Sequence, residues 1–129
     1  EDFTWRVPSV HTASGDIRLY LVVRQDLKMS AGKVASQCVH AALAAYRAAA
    51  GSPVCNSWEA SGETTIVLRA TSLAHIRRLR AECASAGVPT HECADAGRTE
   101  VAEGSVTVLA CGPVGVGAVR GITDSLRVY

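Results

Sequence analysis

Hydrophobic residues in this chain switch between continuous runs and helical spacing, which is typical of strands alternating with helices. Residues 17–24 form a nearly continuous apolar run of β-branched and aromatic side chains, as in a strand covered on both faces. Ser30 can then cap a helix that continues to about Ala50, where a Gly-Ser-Pro sequence stops it. This part of the chain therefore predicts a central strand followed by a helix whose packing stripe is Val34, Cys38, Ala41, Ala42 and Ala45.

The same signals continue to the end of the chain. Residues 51–62 are rich in Gly and Ser and are expected to form a connection with at most a short turn. The remaining predicted elements are a strand at 64–69, a helix capped by Thr71 or Ser72 and closed by Gly87, strands at 88–94 and 105–111, and a helix from about Pro113 to Ser125. This order predicts a single-domain α/β fold, in which a four-stranded mixed sheet carries helices on both faces as three α/β/α layers. The order of the strands does not follow from it.

Composition narrows the function classes only slightly. With a net charge of +1 over 129 residues, contact with nucleic acid requires local clusters of cations rather than a global positive field. The only lysines are Lys28 and Lys33, and all other cations are arginines. Because an ammonium group is a compact point charge that arginine does not replace, this pair draws attention to the connection between the first strand and helix.

The cysteines and the first residues bear on the compartment. Five cysteines without CxxC spacing indicate reduced residues in a reducing, cytoplasmic compartment, with a mitochondrial or other organellar location as the alternative. The longest uncharged stretch, residues 105–119, is too short and too rich in Gly to span a membrane. Residues 1–15 have neither an initiator Met nor a signal-peptide core. We expect them to be a disordered extension of a longer product, outside a domain at 16–129, which a targeting segment could precede.

Polar side chains of the first helix are the first candidate site. Lys33, Gln37 and His40 lie at positions i, i+4 and i+7 and therefore share one helix face. This face is expected to point away from the alanine stripe, and it begins in the first turn, where unpaired backbone N–H groups attract anions. An ordinary solvated helix face would look the same.

A long connection between the last two strands is the second candidate site. Residues 95–104 exceed an ordinary hairpin loop, and they begin with Asp95, Gly97, Arg98 and Thr99. A carboxylate, an Arg and a hydroxyl so close together can position a water molecule, although Asp and Gly are also plain turn formers.

Other motifs give weaker evidence of a functional site. A phosphate loop fails because Leu27 and Val34 replace the Gly and Ser/Thr of GxxxxGK[ST]. Cys38 and His40 point in different directions on a helix, and no histidines or cysteines have the paired spacing of metal ligands. The arginines near residues 77–80 match the wet face of an amphipathic helix. We therefore predict no metal site.

Together, the two candidate segments resemble the type 2 peptidyl-tRNA hydrolases. LVVRQDLKMSAGKVASQCVHA and the later DAGRTEVAEGSVTVLACGP follow the family patterns DLKMGKGKxAAQxxHA and DAGRTQxxxGxxTVLxxGP in order and spacing, and the likeness covers residues 19–129. The resemblance implies hydrolysis of the ester between peptide and tRNA, no cofactor, peptidyl-tRNA as the substrate and a homodimer. The implied catalytic residues are Lys33, Asp95, Thr99 and Thr107, and the implied substrate-binding residues are Lys28, Gln37, His40 and Arg98.

Ester chemistry suits these residues, since one oriented water and a stabilised oxyanion suffice without a covalent nucleophile. Asp95 would orient or deprotonate the water, and Lys33 would stabilise the developing negative charge. The two threonines would hold the carboxylate, the substrate carbonyl or the ribose by hydrogen bonds. His40 is expected to position groups, and Lys28 to contact the substrate backbone.

Two departures from the family pattern leave alternatives open. Ser30 and Ala31 stand where the family commonly has Gly-Lys, which removes one cation, and Glu100 replaces a Gln. Both changes would weaken the attraction of phosphates, and they favour the main alternative, a non-catalytic module that binds RNA or protein. Nucleotide-phosphate binding at Gly32-Lys33 is a third hypothesis, which the failed phosphate-loop motif weakens.

Overall fold

A computed structural model of the protein describes residues 16–97 and 101–129, which form four strands and four helices. In chain order they are β1 (Ile17–Arg24), α1 (Ala31–Ala49), α2 (Pro53–Ala60), β2 (Thr65–Ala70), α3 (Leu73–Ser85), β3 (Thr90–Ala94), β4 (Val106–Gly115) and α4 (Val116–Thr123). The α/β prediction is confirmed. The predicted extension at residues 1–15 lies outside the described residues.

All four strands form one mixed sheet in the order β2-β1-β4-β3. β1 pairs with β2 in parallel, while β4 runs antiparallel to both β1 and β3. The carboxyl ends of β1, β2 and β3 therefore lie at the same edge of the sheet as the start of β4. We call this the carboxyl edge, and it holds both cavities that are discussed below.

Hydrophobic cores cover both faces of the sheet. On β1, Leu19, Leu21 and Val23 face the core built with α1 and α2, while Tyr20 and Val22 face the core built with α3 and α4. This alternation follows from the two-residue period of a strand. It confirms that the continuous apolar run of β1 is a central strand buried on both sides.

Helix α1 begins and ends where the sequence predicts. Ser30 caps it by accepting a hydrogen bond from the Lys33 backbone N–H at 3.3 Å. Its buried face differs from the predicted stripe, because it consists of Val34, Gln37, Ala41 and Ala45. Cys38 and Ala42 are only partly buried, and Gln37 belongs to the packed face because hydrogen bonds to the ends of β3 and β4 satisfy its amide oxygen.

The segment at 51–62 contains a full helix, α2, where only a short turn was expected. Ser52 caps it and Pro53 occupies the first helical position, an arrangement that favours helix initiation. Its inner face buries Cys55 and Trp58, and the indole N–H of Trp58 donates to the Thr64 carbonyl at 2.9 Å. The helix thus closes one end of the core beside α1.

The last helix starts later than predicted. Pro113 and Val114 belong to β4, since Val114 pairs with Arg18 and Gly115 with Ile17. Strand pairing continues to Gly115, so α4 begins only at Val116. The predicted caps of α3 are confirmed: Ser72 accepts from the His75 N–H, and Gly87 has a positive φ of 73°. None of the described helices is long and apolar enough to cross a membrane.

Candidate active site

A cleft of about 410 Å³ opens at the carboxyl edge between α1 and the end of β3. Helix α1 contributes one polar stripe to it, and the last residues of β3 and the following loop contribute the other wall. Its lining residues are Lys33, Ser36, Gln37, His40, Cys93, Ala94, Asp95 and Ala96. The structure thus joins the two segments that the sequence singled out independently.

A buried ion pair connects the two walls of the cleft. The Lys33 ammonium donates a hydrogen bond to Asp95 Oδ1, and the two side chains are only 8% and 4% exposed. An isolated charge is costly to bury, whereas a paired and hydrogen-bonded charge is tolerated. The pair therefore holds the first turn of α1 against the loop that follows β3.

The backbone around Asp95 fixes its carboxylate. The Gly97 N–H donates to Asp95 Oδ2 at 2.7 Å. The backbone of Asp95 itself bonds to both residues at the far end of the loop, because its N–H donates to the Ser105 carbonyl and its carbonyl accepts from the Gly104 N–H, each at 2.8 Å. These backbone hydrogen bonds thus join the two ends of the loop at residues 95 and 104–105.

These contacts determine the charge of Asp95. The hydrogen bond from Lys33 is the main cause that lowers the pKa of Asp95 below its ordinary value of 3.8, and the Gly97 N–H adds to it, while burial opposes it. A donor that stabilises the charged form always shifts a carboxyl in this direction. Asp95 is therefore a carboxylate throughout the neutral pH range, which makes it a weak base and a strong hydrogen-bond acceptor.

A second polar network lies behind the ion pair. The hydroxyl of Thr107, which is fully buried, lies 2.6 Å from Gln37 Oε1 and 3.2 Å from the Cys93 carbonyl oxygen. The Cys93 thiol also donates to Gln37 Oε1, at 3.3 Å. Burial raises the pKa of the Cys93 thiol, which keeps it protonated as this bond requires.

These bonds orient the Gln37 side chain, which is 5% exposed. Because Thr107 and Cys93 both approach its amide oxygen, the amide nitrogen carries the remaining donors. Among the described residues none accepts a hydrogen bond from that nitrogen. Gln37 therefore offers N–H donors at the lining of the cleft.

The other predicted site residues are placed as follows. His40 is exposed and lines the cleft. Lys28 is exposed in the β1–α1 connection, outside the cleft lining, with a positive φ of 50°. Arg98 and Thr99, together with Glu100, lie outside the described residues. Thr107 does not line the cleft, but it contacts two residues that do, Gln37 and Cys93.

One contributor to the site was not predicted. The sequence predicts only that the cysteines are reduced, yet the Cys93 thiol helps to hold Gln37. The sequence does hold a signal for this role, since Cys93 lies at the end of the predicted strand that leads directly into the loop beginning at Asp95.

The arginines of α3 are not part of the cleft. Arg77 and Arg80 both pair with Glu92 of β3, at 2.7 and 3.0 Å. Their side chains are about half exposed, as expected for the wet face of an amphipathic helix.

Comparison with known proteins identifies relatives of the whole described region. A sequence model of the family described as "Peptidyl-tRNA hydrolase PTH2" matches residues 17–129. The Schizosaccharomyces pombe protein named "Probable peptidyl-tRNA hydrolase 2" is 42% identical over 119 residues, or 91% of this chain and 58% of that protein. The Saccharomyces cerevisiae "Peptidyl-tRNA hydrolase 2" is 38% identical over 129 residues, or 94% of this chain and 62% of that protein.

The coverage of these relatives is uneven. The chain spans about three-fifths of the length of the two yeast proteins. By contrast, it covers 98% of the Pyrobaculum aerophilum protein named "Peptidyl-tRNA hydrolase", at 36% identity over 118 residues. The human relative, 38% identical over 118 residues, is named "Peptidyl-tRNA hydrolase 2, mitochondrial".

Gly97 provides a test of how the loop holds Asp95. It has a φ of 79°, and a Cβ there would lie 2.5 Å from Glu103 Cβ and 2.7 Å from Glu103 Cα. We expect Gly97→Ala to lower the free energy of unfolding by about 2–3 kcal/mol, through strained backbone and the clash together. Urea denaturation measures this loss.

Gly104→Ala is the matched control. Gly104 has a similar φ of 82°, but a Cβ there would meet nothing within 4 Å. This variant should lose only about 1 kcal/mol, from backbone strain alone. Equal losses in the two variants would show that the contact between Gly97 and Glu103 does not constrain the loop.

Proposed function

The chain belongs to the peptidyl-tRNA hydrolase PTH2 family, and from this premise we propose that it hydrolyses the ester bond between peptide and tRNA in peptidyl-tRNA. Such a reaction recycles tRNA from peptidyl-tRNA that was released prematurely. The observation that carries the proposal is the Lys33–Asp95 ion pair, buried in a cleft with unused donors and acceptors at its lining. The chemistry needs only groups of the chain itself and a water molecule.

Asp95 is proposed to orient the attacking water. Each of its carboxylate oxygens accepts one described hydrogen bond, from Lys33 and from Gly97. A carboxylate has about four acceptor sites, which leaves capacity for a water beside the ester carbonyl. Since its pKa is lowered, Asp95 acts mainly by orienting the water and by stabilising positive charge that develops on it.

Lys33 is proposed to stabilise the oxyanion. Its ammonium has three N–H donors, of which Asp95 takes one. The remaining donors can reach the carbonyl oxygen as it gains negative charge, and a preorganised donor in a buried site is worth more than one in water. One ammonium thus links the water-orienting carboxylate to the reacting carbonyl.

Gln37 and Thr107 are proposed to have different roles. The Gln37 amide nitrogen would donate to the substrate carbonyl or ribose, because its oxygen is already engaged by Thr107 and Cys93. Thr107 is a positioning residue, since it is fully buried. His40, at the open side of the cleft, would contact the substrate, as would Arg98 and Lys28, and Thr99 keeps the catalytic role that the family pattern implies.

The comparisons give no support to the alternative of a non-catalytic module, since the relatives are named as hydrolases. The resemblance also implies a homodimer, and sedimentation equilibrium with a single monomeric species at micromolar concentration would contradict it.

All five cysteines are free, which fits our proposal of a cytoplasmic protein. The mitochondrial alternative takes its support from the human relative, and imaging of the full-length protein in cells distinguishes the two.

Substitutions in the ion pair test the proposed activity. Release of tRNA from N-blocked aminoacyl-tRNA is the assay. We expect Lys33→Ala to lower kcat by about 10²- to 10³-fold, because an oxyanion donor is lost, and Asp95→Ala by about 10²- to 10⁴-fold, because the water is no longer oriented. Full activity in both variants would refute the site.

Lys28→Ala is the matched comparison, since it removes the same charge outside the cleft. It should mainly raise KM and leave kcat within a few-fold, as expected for a residue that contacts substrate without touching the reacting atoms. Thermal unfolding curves verify that all three variants are folded at the assay temperature. Equal kcat losses for Lys28→Ala and Lys33→Ala would contradict the division of roles.

The pH dependence of activity follows from the lowered pKa of Asp95. The folded protein keeps this carboxyl ionised above 3.8, so both its charge and its contribution to stability are complete above that pH. They are lost as the pH falls through the lower, folded pKa. We therefore expect kcat/KM to show no acid limb from Asp95 between about pH 4 and 8.

Lys33→Ala removes the main cause of the shift, so residual activity in this variant should show an acid limb at higher pH than in the unmodified protein. Profiles of kcat/KM against pH for both proteins provide the measurement. An acid limb above about pH 5 in the unmodified protein that persists in His40→Asn would contradict an Asp95 ionised by Lys33.

A further inference from the structure

A second, smaller cavity opens at the carboxyl edge, beside β2 rather than β3. It encloses about 180 Å³ between the ends of β1 and β2, the first turn of α3 and the segment after α4. Its lining residues are Gln25, Arg69, Thr71, His75, Ser125, Leu126 and Arg127. The proposed hydrolytic reaction uses none of them.

Hydrogen-bond donors dominate this lining. Arg69 and Arg127 are cations without acceptor capacity, and the amide and hydroxyl side chains can donate. His75 Nδ1 accepts the backbone N–H of Thr71 at 3.1 Å, so the proton of the neutral ring is on Nε2. Among the described residues, no carboxylate lines the cavity.

The charges of the cavity are not neutralised within the described part of the chain. The Arg69 Nε donates to the Val128 carbonyl at 3.1 Å, which holds the guanidinium in place and leaves its terminal nitrogens to donate elsewhere. The side chain of Arg127 has no partner among the described residues. Two acids are adjacent in sequence to lining residues: Asp26 is already paired with Arg24 at 2.6 Å, and Asp124 is exposed and forms no ion pair with Arg69 or Arg127.

The volume of the cavity and its positive electrostatic potential indicate one class of ligand. A cavity of about 180 Å³ is smaller than the roughly 300–1,000 Å³ of sites for drug-sized molecules, but it can admit a single compact group. The 13-residue helix α3 begins at this cavity, and its N-terminal partial positive charge adds to that of the arginines. Two guanidinium groups suit a phosphate better than an apolar ligand, since arginine binds phosphate in bidentate fashion.

We propose that this cavity binds a backbone phosphate in the acceptor arm of the tRNA whose ester occupies the Lys33–Asp95 cleft. The inference rests on the proposed function, because both contacts belong to one substrate. β2 and β3 are three strand spacings apart in the sheet, or roughly 14 Å, which a few nucleotides of RNA can span. The β1–α1 connection runs from Gln25 in the cavity to the cleft, and it carries Lys28 on the way.

Arg127→Gln is the test variant, because the Arg127 side chain has no structural partner among the described residues. Arg127→Lys keeps the charge. Arg47→Gln removes the same charge from the last turn of α1, at the opposite edge of the sheet. Each protein is measured in two assays: binding of deacylated tRNA at several KCl concentrations, and hydrolysis of an N-blocked aminoacyl ester of adenosine, which carries no phosphate.

The expected result is selective for the long substrate. Arg127→Gln should weaken tRNA binding about tenfold and reduce the slope of log affinity against log salt by about 1. Arg127→Lys should recover most of the affinity, and Arg47→Gln should match the unmodified protein. All of these proteins should hydrolyse the adenosine ester at equal rates, since that substrate carries no phosphate for the cavity to bind.

The outcomes separate the two proposals. Equal tRNA affinity and equal salt slope in Arg127→Gln and Arg47→Gln would overturn the phosphate site while leaving the hydrolase proposal intact. A loss of adenosine-ester hydrolysis in Arg127→Gln would also overturn it, because the residue would then act on the cleft through the fold. If the unmodified protein hydrolysed neither N-blocked aminoacyl-tRNA nor the adenosine ester, the proposed function would fail, and the salt slopes would still report on the cavity.

Discussion

A buried ion pair between Lys33 and Asp95 holds the site together, since neither charge could be buried without the other. Lys33 comes from the first turn of α1 and Asp95 from the loop after β3, and their side chains are almost fully removed from solvent. Removing either partner would leave an uncompensated buried charge, which is among the most unfavourable arrangements in a protein. Helix position, loop conformation and the charge state of the carboxylate therefore depend on one contact.

The rest of the fold makes this contact possible. Small residues on α1, such as Ala41 and Ala45, are fully packed against the sheet, and Ser30 begins the helix so that Lys33 falls in its first turn. On the other side, backbone bonds from Asp95 to Gly104 and Ser105 close the loop. Each wall is thus set by local structure, and the ion pair fixes the distance between them.

Sheet polarity explains why function gathers at one edge. Since β1, β2 and β3 point the same way, the residues that follow them collect at the carboxyl edge, as ligand sites commonly do in α/β folds. The cleft follows β3 and the arginine-lined cavity follows β2. A net charge of +1 still allows local positive charge at this edge, where Lys28 and Arg127 are exposed, whereas Arg77 and Arg80 pair with Glu92 elsewhere.

Local rules determined most of the elements from the sequence alone. Apolar periodicity and caps such as Ser30 and Gly87 depend on near neighbours in the chain, so β1, α1 and α3 could be predicted closely. The sequence also singled out Lys33, Gln37 and Asp95. Tertiary structure alone decided the strand order and the extension of β4 through Pro113. It also decided the burial of Gln37 and the hydrogen bond by which Cys93 holds it, because each of these features depends on pairing between distant segments. Whether a lysine on a helix is solvated or buried against a carboxylate is decided by what packs beside it, and that information is not local.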